Sequence, residues 1–486
     1  MTTATQDDGV TGFWVGGERR TGTDTVEVRH PWDGHLVGRV AVPGDGDVED
    51  AVAGAASVAK ELAATPAHVR AEALAHVSRR LAERREEVAA LITAENGKPA
   101  VWALAEAARA VSVFRLAAEE ARRASGAVQR LDTDPGGVGR LAYTTRVPRG
   151  PVLAISPFNF PLNLVAHKVA PALAVGAPIL VKPAPATPLS ALLLGELLAE
   201  TDLPAGSWSV LPVPNAAMPA LVADPRLPVV SFTGSDTVGW QIRDAVPRKH
   251  VVLELGGNAA VVLAPDWDRP GDVEHAAARV ATFAMYQAGQ SCIAVQRVYV
   301  AAPLGDRFTA ALVEAVAALG VGDPTAPGVQ VGPLTSVAAA ERVSDWVAEA
   351  VAAGARLRCG GTRDGATVAP TVLTGVPRDA RVSVDEVFGP VVLVEEVPDL
   401  DAGFAAVNDS RFGLQAGVFT HDVAVAFRAH RELEVGGVVV GDVPSYRADQ
   451  MPYGGIKDSG TGREGVEAAM ADLTEQRVLV LTGLEL

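Results

Sequence analysis

The sequence predicts an α/β protein built on parallel sheets that are covered by helices. Short apolar runs rich in β-branched residues alternate with helical patterns from about residue 150 to residue 441. Strands that alternate with helices in this way call for a parallel sheet with helices on its faces. A long helical stretch precedes the alternation, and an apolar extended run follows it. Since 486 residues are too many for one ordinary core, two or three packed units are expected.

The composition indicates a globular protein of the cytoplasm. Hydrophobic residues make up 48% and charged residues 21%, which excludes a disordered chain. A formal net charge of −16 repels phosphate backbones and anionic lipid, so neither nucleic acid nor a membrane is an expected partner. The two cysteines exclude a disulfide framework and suit a reducing compartment. Residues 1–10 are polar and do not resemble a signal peptide, and no apolar run is long enough to cross a bilayer.

The first elements in chain order are helices. From 49 to 127 apolar positions recur at intervals of three and four, with Asn96-Gly-Lys-Pro99 as the clearest break. Residues 132–137 have turn composition, and 138–147 are expected to be extended.

The next hundred residues predict the first parallel sheet. The strands are expected at 152–156, 179–182, 208–213, 229–233 and 251–255, with helices between them at 162–175, 189–201, 216–223 and 237–245. Ligands of such sheets bind beyond the carboxyl ends of the strands, so the residues there are the first candidates for function.

A second alternation follows after Gly257. Its strands are expected at 260–263, 295–300, 391–395, 416–420 and 437–440. The closing run, 477–484, is apolar and uncharged after its first residue. Such a run would leave an exposed sheet edge, so we expect it to pair with another subunit.

Cys292 is a candidate nucleophile. It ends the segment Gln287-Ala-Gly-Gln-Ser-Cys292, where glycine allows the backbone to approach a reacting carbon closely. A free thiol has a pKa of about 8.5, so a nucleophile here needs a base or an electropositive setting. The alternative is a buried structural thiol. This segment alone leaves both open.

Two polar residues at predicted strand ends fit roles around such a thiol. Glu254 ends an apolar strand, where a charge is costly unless it is compensated, and it is a candidate base. Its alternative is a carboxylate satisfied by a helix N-terminus or an arginine. Asn159 follows another strand, and its amide could donate to an oxyanion, a contact worth about 2.7–4 kcal/mol in the transition state. The alternative is an asparagine in a turn beside proline.

Two further strand ends offer anion-binding groups. Phe232-Thr-Gly-Ser235 joins a strand to a helix, and the free N–H groups of a helix N-terminus suit a pyrophosphate. Lys182 supplies a cation at a neighbouring strand end. Each signal is weak alone, because short Gly/Ser turns and surface lysines are common.

The order of these motifs resembles the aldehyde dehydrogenase family over roughly residues 12–480. The motifs that carry the resemblance are Pro157-Phe-Asn-Phe-Pro161, Lys182-Pro183, Phe232-Thr-Gly-Ser235, Glu254-Leu-Gly-Gly-Asn258, Gly289-Gln-Ser-Cys292, Glu386-Val-Phe-Gly-Pro390 and Pro452-Tyr-Gly-Gly-Ile-Lys-Asp-Ser-Gly460. The branch that looks most similar contains lactaldehyde and non-phosphorylating glyceraldehyde-3-phosphate dehydrogenases. The resemblance implies NAD(P)-dependent oxidation of an aldehyde to its carboxylic acid.

The resemblance also implies catalytic roles. Cys292 would attack the aldehyde to form a thiohemiacetal, Asn159 would hold the oxyanion, and Glu254 would activate the thiol or the water that hydrolyses the thioester. Lys168 and Glu464 match a secondary pair near the water path.

The implied cofactor is NADP or NAD. Lys182 matches a contact to the adenosine ribose, Ser235 a contact to the pyrophosphate, and Glu386 and Phe388 contacts to the nicotinamide ribose and ring. The other cofactor residues expected from the motifs are Ser156, Pro157, Phe158, Pro185, Phe232, Thr233, Gly234, Leu255 and Gly256. Many NAD-preferring members carry a glutamate where this chain has Pro185, so NADP should be tolerated.

The family fold implies three units and self-association. The dinucleotide-binding domain would comprise 1–130 and 150–256, and the catalytic domain 257–441. The oligomerisation hairpin and strand would comprise 131–149 and 471–486, while 442–470 would return to the pocket. A homodimer or homotetramer is expected.

The substrate is expected to be a small aldehyde with a hydroxylated or anionic far end. Arg115 and Arg447 match two of three arginines that clasp a substrate phosphate in the glyceraldehyde-3-phosphate branch, and the third position is Ser291. The alternative is that both arginines pair with acidic neighbours such as Glu119 or Asp449. Phe160 and Ile293 complete the expected substrate contacts, and no metal site is expected.

Three other functions are compatible with parts of the sequence. A CoA-acylating semialdehyde dehydrogenase would typically lack the base glutamate, which is present as Glu254. A binding or structural protein with this fold would not need Cys292, Glu254 and Asn159 together. A cysteine hydrolase would need a partnering histidine, and no histidine lies in the ordered motifs.

Overall fold

The computed structural model describes residues 9–485 and confirms the α/β class. Residues 1–8 and 486, which belong to the polar start and to the ends of two predicted domains, lie outside the described residues. The helices are α1 (Asp45–Ala64), α2 (Ala67–Glu83), α3 (Arg85–Asn96), α4 (Ala100–Arg123), α5 (Asn163–Val175), α6 (Leu189–Leu198), α7 (Met218–Ala223), α8 (Asp236–Ala245), α9 (Asp272–Met285), α10 (Gly305–Ala317), α11 (Val337–Ala352), α12 (Arg381–Val384), α13 (Leu400–Asn408), α14 (Val423–Glu432) and α15 (Val466–Asp472).

The strands of the described residues form two large sheets, two three-stranded sheets and three short pairs. They are β1 (Val10–Thr11), β2 (Phe13–Val15), β3 (Glu18–Arg20), β4 (Thr25–Arg29), β5 (Leu36–Ala41), β6 (Ala127–Arg130), β7 (Arg140–Pro148), β8 (Val152–Ile155), β9 (Ile179–Lys182), β10 (Trp208–Val210), β11 (Val229–Thr233), β12 (His250–Glu254), β13 (Ala260–Leu263), β14 (Arg297–Ala301), β15 (Gly320–Val321), β16 (Val329–Val331), β17 (Arg356–Cys359), β18 (Arg363–Asp364), β19 (Thr367–Val368), β20 (Thr371–Thr374), β21 (Val391–Val397), β22 (Phe412–Gly413), β23 (Gln415–Phe419), β24 (Gly437–Val440), β25 (Ile456–Lys457), β26 (Gly460–Thr461) and β27 (Thr474–Thr482). One of the three-stranded sheets has the order β1-β5-β4.

The first sheet has the order β26-β12-β11-β8-β9-β10-β2-β3. Its five predicted strands form the parallel centre, β12 to β10, in agreement with the sequence. The N-terminal β2 and β3 extend one side, and β26 pairs antiparallel with β12 on the other. The sequence did not predict these edge strands. The C-terminal part of the chain therefore lies against the strand that carries Glu254.

The predicted helical stretch forms α1 to α4. Its break falls where expected, because α3 ends at Gly97 with φ 73°, and a Cβ there would lie 2.8 Å from Pro333. Residues of these helices join the core of the first sheet, which extends from Phe13 to Leu255 and takes in Val466 and Leu473 of the C-terminal part.

The second sheet has the order β17-β20-β21-β14-β13-β23-β24. The five predicted strands are present and parallel, whereas β20 and its antiparallel neighbour β17 were not predicted. The larger core on this sheet contains Val261, Phe308 and Val443. The two cores agree in outline with the predicted division of the chain, while the domain boundaries stay a prediction.

The third sheet is the hairpin of β6 and β7 with β27 beside it. The register of β27 and β7 runs from Thr474 opposite Pro148 to Thr482 opposite Arg140. The C-terminal run thus pairs within its own chain along one edge, and every residue of β27 after Thr474 is exposed. In residues 9–485 we find no helix with both the length and the hydropathy needed to cross a bilayer.

Candidate active site

The site is built at the carboxyl ends of the first parallel sheet. Ile155 of β8 lies opposite both Lys182 of β9 and Phe232 of β11, and Thr233 lies opposite Glu254 of β12. Parallel pairing therefore brings the last residues of four strands to one edge. They open into a cavity of about 1120 Å³ that also borders Cys292 and Asn159.

Cys292 lies in the turn after a short 3₁₀ helix, Tyr286–Gly289. Gln287 and Ala288 in this helix have backbone φ values of 43° and 57°, which residues other than glycine rarely adopt. The Sγ of Cys292 lies 3.0 Å from the hydroxyl of Tyr453. Burial raises the pKa of the thiol to about 12, so the resting form is the protonated thiol.

Asn159 is held against the same turn by hydrogen bonds. Asn159 Nδ2 donates to the carbonyl of Gln290 over 3.0 Å. The backbone carbonyl of Asn159 accepts a hydrogen bond from Gln287 Nε2, also over 3.0 Å. The side chain is buried and borders the cavity. The loop after β8 and the cysteine turn are thus fixed to each other, although 133 residues separate Asn159 from Cys292 in the sequence.

Glu254 is buried at the end of β12, and its Oε1 has no hydrogen-bond partner among the described residues. Burial, together with the nearby Glu464 carboxylate, raises its pKa well above the usual range. The glycines around it permit close approach, because a Cβ on Gly257 would lie 2.3 Å from the carbonyl of Cys292 and one on Gly454 3.0 Å from Glu254 Oε1. This is the environment expected for a base that accepts a proton readily.

Lys168 and Glu464 form a buried pair next to Glu254. The Lys168 ammonium lies 4.0 Å from Glu464 and donates to the Ser231 hydroxyl over 2.9 Å. Glu464 also accepts a hydrogen bond of 2.8 Å from Arg447. Burial lowers the pKa of Lys168, whereas Arg447 and Lys168 hold the pKa of Glu464 below its usual range.

The structure corrects the expected substrate clasp. Arg115 lies on the exposed side of α4, away from the cavity, and pairs with Glu119 over 2.7 Å. Six residues along an α-helix rotate the side chain by about 240°. For this reason Arg109 of the same helix, and not Arg115, lines the cavity.

Arg109 and Arg447 line the cavity and belong to one charged network. Arg109 donates twice to Asp449, over 2.9 and 3.0 Å, and Asp449 also lies 3.4 Å from His167. Arg447 reaches the same histidine over 3.4 Å and covers the Tyr453 ring at 3.9 Å. Burial, aided by the Arg447 charge, lowers the pKa of His167 to about 4, so His167 is neutral. Arg447 pairs with Glu464 over 2.8 Å and Asp449 is bound by Arg109, so both predicted arginines do pair with acidic residues, as the alternative expected, although Arg447 has a different partner.

The other end of the cavity fits a dinucleotide. Lys182 is buried and its Nζ donates to Asn215 over 2.6 Å. Ser235 begins α8 without capping it through its side chain, and Thr233 Oγ1 lacks a hydrogen-bond partner among the described residues. The Thr233 and Ser235 hydroxyls and the free N–H groups at the start of α8 can therefore donate hydrogen bonds to a pyrophosphate.

Glu386 lies where the two ends of the cavity meet. It accepts the Gly257 N–H over 2.9 Å, and a Cβ on Gly256 would lie 2.5 Å from it. Burial raises its pKa to about 7. Phe388 next to it has φ 48° and meets the Phe158 ring edge-on at 5.8 Å between centroids.

Every predicted site residue borders the cavity except Arg115 and Lys168. The remaining ones, beyond those described above, are Ser156, Pro157, Pro185, Phe160, Gly234, Leu255, Ser291 and Ile293.

Several cavity-lining residues were not predicted from the sequence. Among them are Trp102, Tyr286, Tyr453 and Arg109. Tyr453 lies inside a motif already singled out, which was a signal that it faces the site. Arg109 could have been found by placing α4 on a helical wheel, since it adjoins the buried Glu106 and Ala110.

Comparisons with known proteins agree with this geometry. Residues 17–479 match the model of the aldehyde dehydrogenase family. A 3-sulfolactaldehyde dehydrogenase of Priestia aryabhattai is 40% identical over 471 residues, 97% of this chain and 98% of that protein.

Two solved structures are similar over almost their whole length. Aldehyde dehydrogenase 21 from Physcomitrella patens, in complex with the reaction product succinate, is 40% identical with a TM-score of 0.96, covering 98% of this chain and 99% of its own. The NADP-dependent glyceraldehyde-3-phosphate dehydrogenase from Bacillus halodurans, complexed with NADP, is 32% identical with a TM-score of 0.93. The match covers 97% of this chain and 99% of that protein's chain.

Proposed function

The chain belongs to the aldehyde dehydrogenase family, and we propose that its cavity oxidises a small anionic aldehyde through a covalent intermediate on Cys292. As a member of this family it is an NAD(P)-dependent oxidoreductase. The observation that carries the proposal is that one cavity brings together a thiol, a buried unpartnered carboxylate, an amide donor and two guanidinium groups.

In the proposed reaction the Sγ of Cys292 attacks the carbonyl carbon, and the carbonyl oxygen becomes an oxyanion. Asn159 Nδ2 and the backbone N–H of Cys292 are the donors proposed for that oxyanion. The thiol proton passes to Glu254, whose raised pKa makes it a ready acceptor. When bound, the nicotinamide dinucleotide supplies the hydride acceptor that converts the thiohemiacetal into a thioester.

Glu254 then releases the thiol proton to solvent and, as a carboxylate again, activates water for hydrolysis of the thioester. Its Oε1 has no partner among the described residues, so it is available to accept a proton from water. Lys168 and Arg447 place positive charge near it, while Glu464 binds Arg447. Hydrolysis releases the acid and the free thiol. This assignment favours water over coenzyme A as the acceptor.

The substrate's far end is proposed to be an anion held near Arg109 and Arg447. Both arginines line the cavity, and each also pairs with a carboxylate. Arg447 Nε has no hydrogen-bond partner among the described residues, so this guanidinium group keeps a donor for an anionic ligand. The relative with 40% identity is named for 3-sulfolactaldehyde, and the similar solved structure holds succinate. A sulfonate and a carboxylate share this chemistry, so a short aldehyde with either group is the proposed substrate class.

The cofactor is NADP or NAD, and we propose that NADP is accepted at least as well. Pro185 borders the cavity close to Lys182, so no carboxylate stands at this position to repel a 2′-phosphate. Lys182 supplies a positive charge there. Burial lowers its pKa to about 8, so it is still largely charged at neutral pH.

Self-association is proposed for the sheet of β6, β7 and β27. Val478, Leu479 and Val480 are about half exposed at 58%, 54% and 48%, which is unusual for neighbouring apolar residues of a strand. A second copy is the proposed cover, giving a homodimer or homotetramer. Two free cysteines support the proposed cytoplasmic location.

The deciding experiment is a screen of NADH and NADPH formation over short aldehydes with sulfonate, carboxylate, phosphate, hydroxyl or methyl ends. We expect the highest kcat/KM for an anionic member. A preference for long apolar aldehydes would refute the proposed substrate class.

A further inference from the structure

A buried ion pair lies behind the loop that carries Asn159. Lys98 and Glu106 bond to each other, and both side chains are fully shielded from solvent. Replacing such a pair with apolar residues is often neutral or stabilising, so its presence is weak evidence for stability alone. The other contacts of the pair point to a different role.

The pair holds the backbone that follows the Asn159 side chain. Lys98 Nζ donates to the Asn159 carbonyl over 2.8 Å and lies 4.0 Å from the centre of the Phe160 ring. Glu106 Oε1 accepts the N–H groups of Leu162 and Asn163, each over 3.0 Å. These contacts go to the main chain and not to the Asn159 side chain, which borders the cavity and whose Nδ2 donates to the Gln290 carbonyl.

The Asn159 carbonyl accepts a second hydrogen bond, which comes from the cysteine turn. Gln287 Nε2 donates to it over 3.0 Å, so Lys98 and Gln287 share one acceptor. The Asn159 carbonyl is therefore held both by Lys98 of the ion pair and by Gln287 of the turn that precedes Cys292. Three charged hydrogen bonds, one from Lys98 and two to Glu106, and one neutral bond from Gln287 therefore hold the backbone from Asn159 to Asn163.

We propose that Lys98 and Glu106 are positioning residues that set the geometry between the Asn159 amide and the Cys292 thiol, and with it the rate of the covalent step. The inference rests on the proposed oxyanion role of Asn159. An oxyanion donor must be held near its final place before the reaction, and misplacement by about 1 Å can cost about 100-fold in rate. Lys98 lies directly behind Asn159 and Phe160, which line the cavity, so it acts through them.

The test variant is the double substitution Lys98→Met and Glu106→Gln. It removes both charges together, so no unpaired charge is left buried, and the glutamine oxygen can still accept the two N–H groups. The matched control is Glu95→Gln. Glu95 is also buried and accepts the N–H groups of Leu189 and Ser190 at the start of α6, over 2.7 and 2.9 Å.

The readout is the pre-steady-state rate of cofactor reduction, with the Kd of NADP and the Tm measured in parallel. We expect the double variant to lower the rate by about 10- to 100-fold while the Kd of NADP stays within about twofold. In an Asn159→Ala background the same double substitution should lower the rate further by less than about threefold, because the effect passes through Asn159. Glu95→Gln should leave the rate within about twofold of the parent.

Additive losses in the Asn159→Ala background, or an equal loss in Glu95→Gln, would overturn the inference. If Asn159→Ala is slow but the double variant is not, the inference fails while the proposed function stands. If Asn159→Ala itself is fast, both fail. Should the double variant not fold, Glu106→Gln alone decides by the same comparison, with an expected loss of about three- to tenfold.

Discussion

The hydroxyl of Tyr453 lies 3.0 Å from the Sγ of Cys292, and this tyrosine is the hydrogen-bond partner of the resting thiol. Burial raises the pKa of both groups, so the pair rests in its neutral form. Arg447 lies over the tyrosine ring at 3.9 Å. The thiol therefore needs a separate base for its deprotonation, and Glu254, which borders the same cavity, is the carboxylate that we propose for this role.

Cys292→Ala should abolish turnover and leave cofactor binding intact, because no thioester can form without the thiol. The measurement is steady-state NADPH formation together with the Kd of NADP. Cys359→Ala is the control, since Cys359 lies in β17 of the second sheet. Turnover of Cys292→Ala near the parent rate would contradict the covalent mechanism.

Glu254→Gln should slow steady-state oxidation by about 10²–10⁴-fold, the usual scale of general acid–base catalysis. The amide keeps the size of the side chain but cannot accept a proton. If only hydrolysis depends on Glu254, a burst of NADPH equal to the enzyme concentration should precede the slow phase. Stopped-flow absorbance separates the two phases, and an unchanged steady-state rate would exclude the assigned role.

The activity should rise as the pH is raised above the range in which an ordinary carboxyl group titrates. Both acids that must lose a proton have raised pKa values, so their protonated, inactive forms dominate at low pH and activity is lost as the pH falls. Tyr453→Phe should shift the rise to higher pH, because the tyrosine hydrogen bond lowers the thiol pKa. Profiles of kcat/KM for parent and variant test this, and a parent profile that falls with pH would refute it.

Pro185→Glu should shift the cofactor preference towards NAD. A carboxylate at this position would repel a 2′-phosphate and could accept a hydrogen bond from a ribose hydroxyl. The ratio of kcat/KM values for NADP and NAD should fall by about tenfold or more, the scale of one charged contact. Pro185→Gln is the uncharged control. Strict NAD dependence of the parent would show that the premise is wrong.

Replacing Arg109 with methionine should raise the KM for an anionic aldehyde by about tenfold or more, the scale of one charged hydrogen bond. The KM for propanal should change little, because a neutral substrate has no anion to bind. Arg115→Met is the matched control on the same helix and should have no effect, since Arg115 is exposed and pairs with Glu119. Equal effects of Arg109→Met on both substrates would indicate a structural role through Asp449.

Most of the fold could be predicted because its signals are local. A buried parallel strand is a short apolar run. Nine of the ten strands predicted for the two large sheets end within two residues of the predicted bound, for example Ile179–Lys182 and Gly437–Val440. The short edge strands β3 and β17 lack this signal, since they are polar and mostly exposed. Their pairing is decided by the neighbouring strand.

The site could be predicted where one motif contains both the reacting group and the backbone that holds it. Cys292 with its glycine turn is such a case. The residues at the substrate end of the cavity could not be predicted in this way. They depend on which face of α4 points into the cavity and on contacts between distant segments. Arg109 and Asp449 are 340 positions apart, and only packing brings them within 2.9 Å.

The pairing of β26 with β12 has a consequence for the order in which a newly synthesised chain gains activity. Glu254 lies opposite Gly460, so the strand that carries the base remains an open edge until residue 460 has left the ribosome. Tyr453 and Glu464 arrive in the same late stretch. Domains generally fold as they emerge, N-terminal parts first. A nascent chain would therefore build the parallel centre of this sheet well before it could oxidise an aldehyde, a step that must wait until residues 453–464 have been synthesised.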